Sequence, residues 1–239
     1  MKLGIDLSLG TDDKAQPLAW QPSDEGTCVG WYKYATGFTT VSGAVSEWAD
    51  QSGNGNDATQ TDAANRPALD GSTVVFDGDT AGDPDHLDIP QISMTGDFTI
   101  GVSMHLDAVG GTLLGDNQGS TTNEFIRFTQ TRVVGIKNEA NAKQDLDLST
   151  DYAFTDSGYL VISRSTVGGV ADTLQMWWNG ELQTSTAVLD DTCLYDAIGV
   201  RKSDNNALDG NIYELQIFSS ANDALTTNIN TRLGTIPRK

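Results

Sequence analysis

The chain has 239 residues, of which 38% are hydrophobic and 25 are glycine. This composition argues against wholesale disorder, and the length permits one large all-β domain. The 33 acidic residues outnumber the 14 basic ones, so the formal net charge is -19. A field of this sign repels nucleic-acid phosphates, which excludes nucleic acid as the expected partner. No uncharged apolar stretch approaches the ~20 residues of a membrane-spanning helix, so we expect no membrane insertion.

The first 27 residues predict an extended arm. Apolar and polar residues alternate near its start, which is the period of a strand with one buried face. The apolar members are Leu3, Ile5, Leu7 and Leu9. Such an arm can pair with its own sheet or with the edge of a neighbouring subunit. Asp6 interrupts this segment and no long apolar run follows, so it does not resemble a secretory signal, and we expect synthesis in the cytoplasm.

Beyond the arm the chain shows strand patterns. Residues 98–105 alternate apolar and polar side chains, as expected where a sheet covers a core on one side. Residues 174–178 alternate in the same way and lead into Asn179-Gly180, a strong hairpin signal because both residues tolerate positive φ. Asp209-Gly210 introduces a further strand over residues 212–218.

Near the C terminus the period changes from two to four. The recurring apolar residues are Leu225, Ile229 and Leu233. Ser220 and Asp223 form a possible capping box, so we predict a short terminal helix. Many strands with a single helix favour a two-sheet sandwich over a fold of alternating strands and helices.

Several motifs resemble those of one known family and follow in the same order. They are WADQSGNGNDA at 48–58, VFDG at 75–78, FTI at 98–100, LVISR at 160–164, MWWNG at 176–180 and DGNIYE at 209–214. Together they resemble a laminin-G-like, concanavalin A-like jelly roll. The resemblance implies an all-β, two-sheet antiparallel jelly-roll sandwich with a short C-terminal helix and an extended N-terminal arm. The implied domains are an anchoring arm at 1–27 and a laminin-G-like domain at 28–239.

The acidic loop at 77–88 is a candidate metal site, because clustered carboxylates on a glycine-containing loop can surround a hard cation. Laminin-G-like domains often hold calcium on a rim of the sandwich, so we predict a calcium site formed by Asp79, Asp83 and Asp85. A solvated acidic loop is the alternative. The segment that starts at Asp50 fails as an EF-hand, because its twelfth position is Thr61 rather than Glu.

No catalytic motif is apparent, and we expect a protein that is not an enzyme. Family-sixteen glucanases of this fold carry Glu-x-Asp-x-x-Glu on one strand, and none of the six Glu residues starts such a motif. Glu214 is therefore expected as a lone carboxylate on the solvent face or in a turn. There is also no Gly-x-Ser-x-Gly nucleophile motif.

Adjacent tryptophans on one strand must point to opposite faces, so either Trp177 or Trp178 has to leave the core. Trp177 is a candidate for stacking against a sugar. Its alternative role is packing against the arm or the terminal helix. Cys28 and Cys193 lie outside any Cys-x-x-Cys or Cys-His pattern, so we expect two free thiols.

These features favour a structural protein of a bacteriophage virion, either a capsid decoration or a tail or fibre accessory. It would be made in the host cytoplasm, form a homo-oligomer, and use Leu3, Ile5, Leu7 and Leu9 to bind other virion proteins. The laminin-G-like resemblance also implies possible adhesion to a cell-surface glycan. The alternative is a free calcium-dependent carbohydrate-binding protein.

Overall fold

The computed structural model describes residues 19–78, 83–117, 123–201 and 205–238. The predicted arm residues Leu3, Ile5, Leu7 and Leu9 and the predicted metal ligand Asp79 lie outside these ranges. The strands are β1 Cys28–Tyr32, β2 Phe38–Val41, β3 Ala44–Trp48, β4 Ala58–Thr59, β5 Ala68–Asp70, β6 Thr73–Asp77, β7 Leu87–Met94, β8 Phe98–Leu106, β9 Thr112–Gly115, β10 Phe125–Gln130, β11 Val133–Lys137, β12 Lys143–Asp147, β13 Gly158–Val167, β14 Val170–Trp178, β15 Glu181–Leu182, β16 Ala187–Val188, β17 Cys193–Ile198 and β18 Asp209–Phe218. Within these ranges one α-helix, α1, spans Asp223–Gly234, and two 3-10 helices span Pro22–Asp24 and Ala63–Asn65.

The strands form two antiparallel sheets. In the first sheet β14, β13, β8 and β18 lie side by side, and β1 and β6 both pair with the far edge of β18. The short β15 and β16 cover the outer edge of β14. In the second sheet the order is β12, β11, β10, β9, β17, β7, β4, β3 and β2. The predicted all-β sandwich with a C-terminal helix is confirmed.

The main core lies between the two sheets. Trp178 is fully buried there, and the ring of Phe154 meets both Trp178 and Phe128 edge-on, with centroids 5.5 Å and 4.9 Å away. The predicted Asn-Gly hairpin joins β14 to β15, with φ of 50° at Asn179 and 84° at Gly180. Both residues take positive φ because a two-residue hairpin turn requires it.

Helix α1 covers the outer face of the first sheet. Its apolar side packs on β8 and β13 in a second buried cluster that includes Ile229 and Leu233. Gly101 makes this approach possible, because a Cβ there would lie 2.5 Å from Ile229 Cγ2. The N-cap lies two residues later than predicted. It is Asn222, whose side chain accepts a hydrogen bond from Leu225 N at 2.9 Å, so the prediction of Ser220 was wrong.

The described part of the N-terminal segment, residues 19–27, lies against the sandwich. The ring of Trp20 stacks on Phe218 with centroids 6.2 Å apart, and Gln21 Oε1 accepts a hydrogen bond from Arg232 at 3.3 Å. Within the described ranges no helix has the length and apolar character needed to cross a membrane.

Candidate functional site

A groove with a volume of about 500 Å³ lies at one end of the second sheet. We call it the Tyr152 groove. It is lined by Gln130, Thr131, Arg132, Val133, Asp147, Thr150, Asp151, Tyr152, Ala153 and Asp156. The turn between β10 and β11 forms one wall, and the chain that follows β12 forms the other.

Backbone hydrogen bonds hold the two walls together. Leu148 N donates to Arg132 O, and Phe154 N donates to Thr131 O, both at 2.8 Å. Phe154 is fully buried, so the segment between these two bonds is anchored at its end in the core. The groove is therefore a fixed surface feature, as required of a site that binds without large rearrangement.

The lining combines an aromatic ring with charged groups of both signs. The Tyr152 hydroxyl donates to the Glu181 carboxylate, and this bond, together with the charge of Glu181, raises the pKa of Tyr152. One side of the Tyr152 ring packs on the core, and the side chain is half-buried. The carboxylates of Asp147 and Asp151 and the Arg132 guanidinium form no hydrogen bond or ion pair with the described residues. Carboxylates can accept hydrogen bonds from pairs of hydroxyl groups, and the face of an aromatic ring can stack on C–H groups.

Sequence reasoning did not identify this groove. The available signal was Asp151-Tyr152, an aromatic residue beside an acid in a turn-rich stretch between two strands. That signal is weak, because turn segments rich in Ser, Thr and Asp are common on any sandwich.

The predicted calcium loop lies at another rim, after β6. Asp83 is exposed, whereas Asp85 is only 7% exposed and its Oδ2 accepts from Asp77 N at 3.2 Å. Burial raises the pKa of Asp85 to about 7, and the nearby charge of Asp77 adds to the shift. Among the residues the structure describes, no group of three His, Cys, Asp or Glu side chains is arranged to hold a metal ion. Asp79 falls outside those residues, so the calcium site stays a prediction.

Trp177 lies on the outer face of the first sheet, opposite in direction to the buried Trp178. It is half-buried beside the cluster that contains α1. It pairs with Val161 on β13 and with Leu182 on β15, and Leu182 is 49% exposed. Trp177 thus has one side in contact with protein, and its role in sugar binding stays a prediction.

Glu214 is not on the solvent face or in a turn, so that expectation was wrong. It is fully buried and accepts five hydrogen bonds. The donors are Trp31 Nε1 at 3.1 Å, Gln216 Nε2 at 2.7 Å, Tyr34 N at 3.1 Å, and Arg232 Nε and Nη2 at 2.5 and 3.0 Å. The carboxylate therefore ties α1 to the first sheet and is occupied by structural contacts.

The turn that starts at Asp50 is also structural. The Asp50 carboxylate accepts from Trp31 N and Ser52 N at 2.8 Å, from Ser52 Oγ at 2.6 Å and from Asn56 N at 3.1 Å. Cys28 and Cys193 are free and buried, as predicted, and burial raises the pKa of the Cys28 thiol to about 12.

Comparison with known proteins identifies the fold alone. No family model matches the chain, and no curated protein matches its sequence. Among solved structures it is similar to a Trypanosoma rangeli sialidase in complex with the inhibitor DANA, at a TM-score of 0.51 and 11% identity, covering 86% of this chain and 32% of the sialidase. It also matches mouse laminin alpha1 chain domains LG4-5, at a TM-score of 0.36 and 12% identity, covering 66% of this chain and 46% of that one. The chain spans about a third of the length of the sialidase.

This comparison corrects one expectation. We expected a protein that is not an enzyme, because no catalytic motif is apparent in the sequence. A structure that shares the fold over 86% of this chain is a sialidase. One fold supports many functions, so the prediction of a non-enzyme is withdrawn.

Proposed function

We propose that the protein is a carbohydrate-binding module of adhesion type and that the Tyr152 groove holds the sugar. The observation that carries the proposal is the lining of this groove. One aromatic ring, three exposed carboxylates and one guanidinium surround a space of about 500 Å³. A pyranose ring needs both an apolar face to stack on and acceptors for its hydroxyl groups.

The hydrogen bond between Tyr152 and Glu181 prepares the groove for a ligand. It fixes the phenol from outside the groove, since Glu181 is not among the lining residues. The ring is then presented in one orientation before a sugar arrives. Binding to a preorganised ring avoids part of the entropy cost of ordering a side chain, which is about 0.5–1.5 kcal/mol.

The experiment is a glycan array followed by calorimetry with the best ligand. Tyr152→Ala removes the stacking ring and is expected to weaken binding at least tenfold. Tyr152→Phe keeps the ring and loses only the bond to Glu181, so a smaller loss is expected. Trp177→Ala tests the other predicted sugar contact. Loss of binding in Trp177→Ala with full binding in Tyr152→Ala would overturn the groove as the site.

Calcium at the rim loop is a second part of the proposal. Asp83 and Asp85, with Asp79, supply the hard oxygen ligands that Ca²⁺ prefers. A bound cation would also stabilise the ionised form of Asp85, whose own burial disfavours it. The test is glycan affinity and Tm with calcium and with EGTA. An identical Tm in both would refute calcium binding.

We further propose that the module is carried on a bacteriophage particle, with the N-terminal arm as the anchor to other virion proteins. The apolar alternation of Leu3, Ile5, Leu7 and Leu9 supports this setting, since such a strand can add to the edge of a neighbouring sheet. The clean truncation removes residues 1–18, because Trp20 and Gln21 contact the sandwich. The shortened chain should fold and fail to join particles. Particle-bound protein after this truncation would refute anchoring by the arm.

A further inference from the structure

The outer face of the second sheet carries a group of basic residues around Phe125. Strand pairing places Lys137 directly opposite Phe125, and Arg127 follows two residues along β10 on the same face. The guanidinium of Arg201 lies over the Phe125 ring, 5.3 Å from its centroid. We call these four residues the Phe125 patch.

The backbone around the patch brings Arg201 close to the sheet. Gly115 pairs with Phe125 on β10, and a Cβ at this position would lie 2.9 Å from Arg201 Cβ and 2.3 Å from Val200 O. Any side chain there would push the arginine off the ring. The lack of a side chain at Gly115 thus leaves room for Arg201 to lie close to the sheet.

The cations of the patch have no acidic partner among the described residues. Arg127 Nε donates to Gly110 O at 2.7 Å, and Arg201 Nε donates to Asn206 Oδ1 at 2.6 Å. Neither arginine uses its terminal amino groups, and Lys137 makes no side-chain bond, within the described part of the chain. Burial lowers the pKa of both arginines, and the charge of Arg127 lowers that of Arg201 further.

This arrangement is unusual in a chain with a net charge of -19. Three cations converge although acids outnumber bases by 33 to 14. Asp145 lies opposite Gly135 in the row of Arg127, and Lys143 already pairs with it at 2.6 Å. Repulsion between partly buried like charges is unfavourable unless an anion lies between them.

A groove of about 450 Å³ adjoins the patch on the Arg127 side. It is lined by Gly78, Ala108, Val109, Gly110, Gly111, Arg127, Asn205, Asn206, Ala207 and Asp209. The backbone of its glycines and two asparagines give the groove polar groups that can form hydrogen bonds with the hydroxyl groups of a sugar. Asp209 is the acid in this lining, and burial, then the charges of Asp107 and Asp77, raise its pKa.

We infer that the Phe125 patch binds an acidic polysaccharide through the carboxylates of its uronate units. Planar guanidinium groups pair with planar carboxylates through two parallel hydrogen bonds. A chain of spaced carboxylates with hydroxyls between them matches the patch and the adjoining groove. The inference rests on the proposed glycan-binding function but uses a face separate from the Tyr152 groove.

The net negative charge of the chain determines the ionic strength at which binding should be measured. It repels a polyanion at long range, while the patch attracts it at contact. At physiological salt the Debye length is about 8 Å, so the repulsion is screened and the contacts survive. Binding should therefore be measured at physiological ionic strength.

The probes are a polygalacturonate oligosaccharide, its methyl ester, a sulfated galactan oligosaccharide and a DNA duplex, each titrated by calorimetry. We expect the acid to bind at least tenfold tighter than the ester. Lys137→Gln and Arg127→Gln should each weaken binding of the polygalacturonate oligosaccharide at least fivefold. Lys137→Gln is the primary variant because its side chain makes no bond with the described residues. Arg66→Gln is the matched control, since Arg66 donates to the carbonyls of Gln60 and Thr61 elsewhere.

Equal binding of acid and ester, or equal loss in Arg66→Gln, would overturn the inference. Tighter binding of the sulfated galactan would overturn the assignment to carboxylates, and DNA binding lost in the same variants would overturn the assignment to a polysaccharide. Self-association abolished by Lys137→Gln in sedimentation would instead assign the patch to a second copy of the chain. Tyr152→Ala should leave binding of the acid unchanged. If the acid binds but no neutral glycan does, the function proposed for the Tyr152 groove is refuted and the inference about the Phe125 patch is not.

Discussion

The buried ion pair between Glu214 and Arg232 makes a quantitative prediction about stability. Glu214→Gln removes the charge while keeping the size of the side chain. Both oxygens of the Glu214 carboxylate accept hydrogen bonds, whereas Gln replaces one of them with an NH₂ group, which cannot accept. In either orientation of the amide, the NH₂ group therefore faces donors. Arg232 is left partly buried, with 14% of its side chain exposed and no anionic partner at that position.

The expected loss follows from these contacts. Breaking a buried pair by removing one partner costs about 3–5 kcal/mol, because the remaining charge stays desolvated. In a domain of this size each kcal/mol lowers Tm by roughly 2–4 °C, so a fall of about 10 °C is expected. The helix and β1 should loosen first, since the carboxylate joins Arg232 on α1 to Trp31 on β1.

The assay is urea denaturation followed by circular dichroism. Glu139→Gln is the control, because Glu139 is exposed and its substitution removes the same formal charge. Pairing Glu214→Gln with Arg232→Met should recover part of the loss, since no uncompensated charge remains. A loss below about 1 kcal/mol in Glu214→Gln, in the range of a surface pair, would refute the argument that desolvation dominates.

Three further outcomes are expected. Arg164→Met should lower the free energy of unfolding, measured in urea, by more than about 3 kcal/mol. The fully buried Arg164 donates to the carbonyls of Met94, Gly96, Leu189 and Asp191, and each acceptor left unpaired costs about 1–3 kcal/mol. A small effect would show that water replaces the guanidinium. Burial raises the pKa of Asp85 to about 7 from its ordinary value of 3.8, so the folded state binds a proton that the unfolded state releases, and stability should fall as pH rises from about 4 to 7; this slope in Tm should disappear in Asp85→Asn. Iodoacetamide should label Cys28 only after unfolding, because burial raises its thiol pKa to about 12; rapid labelling of the native protein would contradict the structure.

Much of the fold follows from local sequence patterns. Alternation over 98–105 and the Asn179-Gly180 turn depend on neighbouring residues, and both appear as predicted in β8 and in the β14–β15 hairpin. The helix was also predictable, because Leu225, Ile229 and Leu233 fall on one helical face. Its start was misplaced by two residues, since several polar residues in a row can each act as the N-cap.

The burial of Glu214 could not be predicted from its own strand. Alternation places it on the face opposite the main core, where a charged residue is normally solvated. Only the docking of α1 over that face, with Arg232 opposite the carboxylate, makes burial acceptable.

The sequence by itself determined the class of fold, because strand period, turn residues and helix period are short-range properties of the chain. It also determined the acidic character of the surface. Only the tertiary structure decided the candidate sites. The Tyr152 groove joins the β10–β11 turn to the chain after β12, and the Phe125 patch joins β10, β11 and Arg201. These residues meet because strands far apart in sequence pair in the sheet, and the order of that pairing depends on packing of the whole core.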